Sequence, residues 1–449
     1  MIKVITYGTY DLLHYGHVRL LERAKALGDY LIVGITADDF DKSRGKINVS
    51  QTLAERIEAV KATGLADEII IEEYEGQKID DIKRYSADIF TVGSDWVGKF
   101  DYLNEYCKVV YLERTEGISS TQLRTEKKPL RLGIVGENDI ALKYCKESSF
   151  VNGLNADIFF STNKQFVSNC INAGIDVAEN YIDLLSNTDA VYIASAPEKH
   201  FEQIRTALEM GKHVLCESPI ALTQSDCNEL FELAKSKNLI LMDAIKTAYA
   251  TAYHRLVLLA KSGAIGPVVS VEATCTSLKD LKYVSAENIH HKRNSMYAWG
   301  PSAMLPVFQI LGTKYISKTI DSYFLDSEHT FDLFSKVNFC YSNATACIKV
   351  GKGVKSEGEL VISGTKGYIY VPAPWWKTDY FEIRFENQEE NKRHFYQLDG
   401  EGIRYQLAAF AKSIESGENQ SQISQEISST ICDLICDFND KKDTNILHV

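Results

Sequence analysis

Two imidazoles three residues apart, His14 and His17, stand in the run Thr9-Tyr-Asp-Leu-Leu-His14-Tyr-Gly-His17. Gly16 leaves the backbone bare between them, so both rings and the first N–H groups of a following helix can reach one phosphate. Donors gathered this way stabilise charge on equatorial oxygens and on a departing pyrophosphate, which is what phosphoryl-type transfer needs instead of a covalent partner. The bland alternative is a chance pairing among ten histidines. A second cluster, Arg114-Thr-Glu-Gly-Ile-Ser-Ser-Thr121, follows an apolar run and offers a guanidinium, hydroxyls and a glycine. It can hold a triphosphate bidentately from Arg114 and through Ser119, Ser120 and Thr121, although on its own it reads equally well as a Ser/Thr helix cap. Asp11, the carboxylate of the first motif, suits a turn cap, and no metal ligand is assigned.

These groups need a scaffold that brings strand ends together. Residues 2–6 read as a buried strand and 17–27 as a helical stripe; strands follow at 30–35, 68–71, 89–92 and 109–112, with helices at 51–61, behind a Ser50 cap, and at 78–85. Alternation of this kind predicts an α/β domain wound on both faces of a parallel sheet. The charged stretch 125–129 ends in proline and marks a boundary. A second strand–helix series runs from 130, and from about 268 longer alternating runs predict a largely antiparallel sheet, closed by helices at 405–416 and 424–438.

With 449 residues the chain has room for two or three domains, and 45% hydrophobic with 24% charged residues excludes a disordered, collagen-like or coiled-coil chain. Lys+Arg 49 against Asp+Glu 61 gives a net charge of −12, which argues against a nucleic-acid partner and requires any phosphate site to be a local cluster of positive groups. Ten scattered cysteines without a CxxC fit reduced thiols, and no run approaches the ~18 apolar residues of a membrane span, so a cytoplasmic location and no membrane partner are expected.

GTYDLLHYGH, LLERAKALGDYLIV, GSDWVGKFDYL and VVYLERTEGISST, in order and spacing, resemble the glycerol-3-phosphate cytidylyltransferase family of HxGH nucleotidyltransferases over residues 1 to about 125. The resemblance implies a nucleotidyltransferase domain (1–128) that makes a CDP-alditol from CTP and an alditol phosphate for a cell-surface polymer precursor, with Mg²⁺ accompanying the CTP. It implies His14, His17 and Arg114 as catalytic residues. Thr9, Tyr10 and Lys46 would touch CTP, Asp95 and Trp96 would shape its pocket, and Thr115, Gly117, Ile118, Ser119, Ser120 and Thr121 would close over the phosphates. Arg44 and Lys78 would face the phosphate of the second substrate. Thr63-Gly64 stands where the family often has an arginine, which adds weight to Arg56 as a substrate residue; Glu75 stands where an aromatic is usual, which suits a different alditol. The competing class is a non-catalytic nucleotide sensor.

Residues 130–449 resemble the Gfo/Idh/MocA oxidoreductases, through LRLGIVGENDIA, the segments 189–200 and 207–219, and Ser262-Gly-Ala-Ile-Gly266. A Rossmann domain (129–250) and an α+β domain with a largely antiparallel sheet (251–449) are implied. Gly136, Asn138, Glu217 and Lys246 fall at family positions for NAD(P). The chemistry is altered, however: Asn138 replaces the second loop glycine between Glu137 and Asp139, Ser218 replaces the lysine of Glu-Lys-Pro, and Pro301 and Leu305 replace a later Asp and His. None of these replacements can protonate a developing alkoxide at neutral pH, which leaves Lys246 and His200 near the cleft. The reading is a degenerate module for dimerisation and binding; the alternative is an active NAD(P)-dependent reductase supplying the polyol phosphate. Both resemblances imply a homodimer.

Overall fold

The computed structural model describes all residues except 39–48, 50, 75, 114–128, 138, 152, 173–174, 279–292, 397 and 448–449. It divides into two units, Met1–Pro129 and Leu130–Val449.

In the first unit, β1 (Lys3–Gly8), β2 (Tyr30–Thr36), β3 (Glu68–Glu72), β4 (Ile89–Gly93) and β5 (Lys108–Leu112) alternate with α1 (Tyr15–Lys25), α2 (Leu53–Ala62) and α3 (Gln77–Tyr85). All pairings are parallel, in the order β3-β2-β1-β4-β5. β1 and β2 are apolar on both faces because both are covered: Val4, Leu31 and Val33 pack with Leu21 and Ala24 of α1 and Val60 of α2, while Ile5 and Ile32 pack with Ile82 of α3 and Phe90. The strand order reverses at β1, so the crevice beyond its carboxyl end, where the His14–His17 run begins, is where such a sheet takes a ligand. α2 starts later than its apolar pattern suggested. Thr52, not Ser50, caps it, because Thr52 and Glu55 close a reciprocal capping box.

The second unit opens with β6 (Leu130–Gly136), β7 (Leu154–Phe160), β8 (Asp176–Val177), β9 (Ala190–Ala194), β10 (His213–Cys216) and β11 (Leu241–Asp243), a parallel sheet in the order β11-β10-β9-β6-β7-β8. Its helices include α4 (Asp139–Ser148), α5 (Lys164–Asn172), α6 (Tyr181–Ser186), α7 (His200–Glu209) and α8 (Gln224–Ser236). α9 (Thr251–Lys261) leads to a nine-stranded sheet, β12 (Val268–Thr276) to β20 (Thr444–Leu447), in which, among the described residues, only the pairings of β12 with β15 (Thr345–Gly351) and of β13 (Ser317–Phe324) with β20 are parallel. α10 (Ser295–Leu311) packs on β12 and β15 with Pro301 and Pro306 inside it. A helical proline costs about 3 kcal/mol. Burying Met304, Leu305, Val307 and Phe308 contributes about 1.5–3 kcal/mol each, which together matches or exceeds two such costs. Among the described residues no helix is long and apolar enough to cross a membrane.

Candidate functional site

Among the described residues of the first unit, the turn after β1 holds two of the three non-glycine residues with positive φ. Tyr10 and Leu12 have φ of 53° and 47°, a left-handed geometry that costs a non-glycine residue roughly 1–2 kcal/mol. Hydrogen bonds from elsewhere in the chain hold it. Arg56, fully buried on α2, donates from Nη1 to the carbonyls of Thr9 (2.7 Å) and Thr36 (2.9 Å), from Nε to that of Gln51 (3.3 Å), and pairs with Asp38. Asp11 accepts from the Gln51 N–H at 3.0 Å, and Gln51 Oε1 accepts from the Leu12 N–H at 2.8 Å. The turn therefore delivers His14 as the N-cap of α1, its Nδ1 accepting from the Gly16 N–H at 3.1 Å. In the neutral ring that bond places the proton on Nε2, making the opposite edge of the imidazole a donor. His17 stacks on His14 with centroids 3.9 Å apart and planes 20° apart, so the two rings act as one unit.

Two residues expected at the substrate face lie beneath it. Arg56 is engaged by backbone carbonyls, since the buried turn needs donors more than the cleft needs another cation. Tyr10 is 1% exposed, because its positive φ swings the ring inward against Gly8 and edge-on to His17 at 5.6 Å. Burial raises its hydroxyl above the usual tyrosine range.

Beside this turn lies a cavity of about 60 Å³ lined by Tyr7, Gly8, Thr9, Thr36, Glu72, Lys78, Val92, Trp96 and Phe100. The structure thus brings Thr9, Trp96 and Lys78 together from three separate segments. On its floor Lys78, 7% exposed, is ion-paired with Glu72, 1% exposed, and Thr36 donates to Glu72 Oε2 at 3.0 Å. The Lys78 ammonium also lies 4.7 Å from the Tyr7 ring and 5.5 Å from that of Phe100. Tyr7 donates its hydroxyl to Asp81 at 2.8 Å, and burial together with that carboxylate raises its pKa. Asp95 belongs to the turn Ser94–Trp96. Arg44, Lys46, Arg114, Thr115, Gly117, Ile118, Ser119, Ser120 and Thr121 lie outside the described residues, as does the side chain of Asp95.

In the second unit the polar groups at the carboxyl edge of the parallel sheet bind one another. Glu217, after β10, accepts from Tyr192 Oη at 2.6 Å and lies 3.7 Å from Arg293 Nη1; Arg293 Nη2 donates to the Ser195 carbonyl at 3.0 Å. Both ring nitrogens of buried His200 face carbonyls, of Pro219 (2.8 Å) and Ser195 (3.1 Å), an arrangement that favours the imidazolium. Burial and the nearby Arg293 win and hold its pKa down to about 4. Ser218 and Ser428 donate to Asp243 Oδ2 at 3.3 and 2.9 Å, and burial pushes that carboxyl up to about 7. Lys246 and Lys377, each 2.8 Å from Glu401, and Lys143 at 3.3 Å converge on one carboxylate; burial pushes its pKa up, yet Lys246 and Lys377 bring it down to about 2. Gly136 ends β6 with room for little more than hydrogen, a Cβ there falling 3.2 Å from that of Ala194. The Glu137 carboxylate accepts from the Thr162 hydroxyl, and Asn138 lies outside the described residues.

Residues 5–126 match the Cytidylyltransferase-like family. The glycerol-3-phosphate cytidylyltransferase of Bacillus spizizenii is 51% identical over 126 residues, which are 28% of this chain and 97% of that relative. The chain belongs to the cytidylyltransferase-like family. The Staphylococcus aureus enzyme of the same name is 46% identical over 126 residues, 28% of this chain and 95% of its own length. The cytidylyltransferase-like protein also carries a GFO/IDH/MocA domain: residues 130–244 match the oxidoreductase family with the NAD-binding Rossmann fold. KijD10, a 3-ketoreductase from Actinomadura kijaniata in complex with NADP and TDP-benzene, superposes with a TM-score of 0.62 over 72% of this chain and 99% of its own, at 18% identity, a likeness of fold.

Three residues of this cytidylyltransferase-like protein were invisible to motif reading: Thr36, Glu72 and Arg293. The first two each end a parallel strand, at the sheet edge where such folds bind ligands, and that position was the available signal. Arg293 follows a segment with no periodicity and meets Glu217 from 76 residues away, so it left none.

Proposed function

We propose that the first unit converts CTP and an alditol phosphate, glycerol 3-phosphate or a related polyol phosphate, to a CDP-alditol and pyrophosphate for a cell-surface polymer precursor. The observation that carries this reading is the stacked His14–His17 pair at the N-terminus of α1, on the switch-point strand whose next residue, Thr9, lines the cleft holding Lys78. A phosphate oxygen of the alditol phosphate attacks the α-phosphorus of CTP in line. The new P–O bond forms as the bond to the β-phosphate breaks and pyrophosphate leaves. His14 and His17 donate to charge on the α-phosphoryl oxygens and the leaving group, and Arg114 with Thr115 and residues 117–121 closes over the phosphates. Thr9, Lys46, Asp95 and Trp96 hold the nucleotide, and Lys78 and Arg44 hold the phosphate of the acceptor. Mg²⁺ bound with the triphosphate would offset its charge, held mainly by phosphate oxygens and water. Arg56, Asp11 and Tyr10 fix the turn on which the histidines depend. The test is pyrophosphate release from CTP and glycerol 3-phosphate. His17→Ala should lower it by at least ~10²-fold, and equal signals from the two proteins would reject the reading in favour of a nucleotide sensor.

For the second unit we propose binding and dimerisation without redox chemistry. Support comes from Lys246 engaged by Glu401, from Ser218 engaged by Asp243, and from a Glu137 carboxylate fixed by Thr162 at the first turn, where a pyrophosphate's negative charge would lie. Those residues do not fit a dinucleotide. Titration with NADPH should leave its fluorescence unquenched at physiological concentration; tight binding would restore the reductase reading.

A further inference from the structure

The buried Glu72–Lys78 pair points to the chemistry of the acceptor substrate. A buried ion pair is a poor source of stability, because desolvating both charges offsets their attraction, so its place on a cavity floor suggests a role there. A carboxylate only accepts hydrogen bonds, which leaves a hydroxyl or an ammonium as the ligand group it can take. The aromatic faces that would cradle an ammonium, Tyr7 and Phe100, already have the Lys78 ammonium against them, at 4.7 and 5.5 Å. A cationic head group would meet that like charge, and Asp81, the neighbouring carboxylate, is engaged by Tyr7 and by Gln77 at 3.0 Å.

We infer that Glu72 is a specificity-determining residue that accepts a hydroxyl of a neutral polyol, while Lys78 binds the phosphate and fills the recess an amino-alcohol would need. Thr36 orients Glu72 for that contact. The inference rests on the transferase reading above and assigns to Glu72 the discrimination of a polyol phosphate from phosphoethanolamine or phosphocholine.

The test assays the full chain with CTP and, in turn, glycerol 3-phosphate, propyl phosphate and phosphoethanolamine. The wild type should prefer glycerol 3-phosphate to phosphoethanolamine. Glu72→Gln should lower kcat/KM for glycerol 3-phosphate about 10- to 100-fold, the range of a charge-assisted hydrogen bond, with KM for CTP within about twofold. On propyl phosphate, which has no hydroxyl, the same substitution should cost less than about threefold. Thr36→Val, which keeps the carboxylate, should show the same pattern more weakly and guards against a Glu72 variant that fails to fold. An active wild type with an unchanged Glu72→Gln, or one that uses phosphoethanolamine as well as glycerol 3-phosphate, overturns the assignment of Glu72 alone. A wild type inert with every alcohol phosphate overturns the transferase reading and this inference together.

Discussion

The carboxyl edges of the two parallel sheets are built alike and filled differently. In the first unit one cation, Arg56, goes to backbone carbonyls and shapes a turn, and a second, Lys78, stands with its partner on the floor of a cavity. In the second unit Lys246, Arg293 and Asp243 each meet a carboxylate, a carbonyl or a hydroxyl supplied by the unit itself. The topology offers a ligand site in both cases. What separates them, among the described residues, is that the polar pair of the first edge lines a cavity while those named in the second are tied to neighbours in the unit, so an inherited fold is a weaker guide to chemistry than the partners of three or four side chains.

Three substitutions sharpen this contrast. Arg56→Met should have the largest effect, because it strips donors from three carbonyls and a partner from Asp38 around a left-handed turn: about 3 kcal/mol of stability, read by denaturant unfolding of the first unit, with a parallel loss of pyrophosphate release. A smaller loss would mean that the turn holds itself. Asp243→Asn should act in the opposite sense. Its carboxyl titrates near 7 when folded against about 3.9 unfolded, so ionisation destabilises the native state progressively as pH rises through that window. The variant should be more stable than wild type at pH 8, by roughly 1–2 kcal/mol, with the difference vanishing below about pH 4 in thermal melts. Glu401→Gln should be the mildest, at most about 1 kcal/mol, since its lysine partners are partly exposed. Its folded pKa of about 2 lies below the unfolded ~4.3, so its contribution is present above that value and fades as pH falls toward 2; a variant matching wild type at pH 7 would show that the lysine cluster contributes nothing.

Most of the first unit's fold was legible because strand and helix periodicities are local and strong there; residues 30–35 were read to within one position of β2. The site was legible where its residues adjoin in sequence, as His14 and His17 do. It was illegible where a side chain's role depends on its burial. Arg56 and Tyr10 carry the right chemistry for a substrate face, and only the inward turn at φ 53° and the acceptors at Thr9 and Thr36 place them behind it. In the last sheet, β20 joins β13 in parallel at the chain's end, a pairing that its four residues do not advertise.

The sequence by itself determined two successive strand–helix series, the break between them near Pro129 and the imidazole pair at the first strand-to-helix handover, since each follows from neighbours along the chain. Only the tertiary structure decided that Glu72, Lys78 and Thr36 share a cavity floor and that Lys246 faces Glu401. Those meetings depend on strand order and register, which set distances between residues far apart in sequence and leave no local pattern.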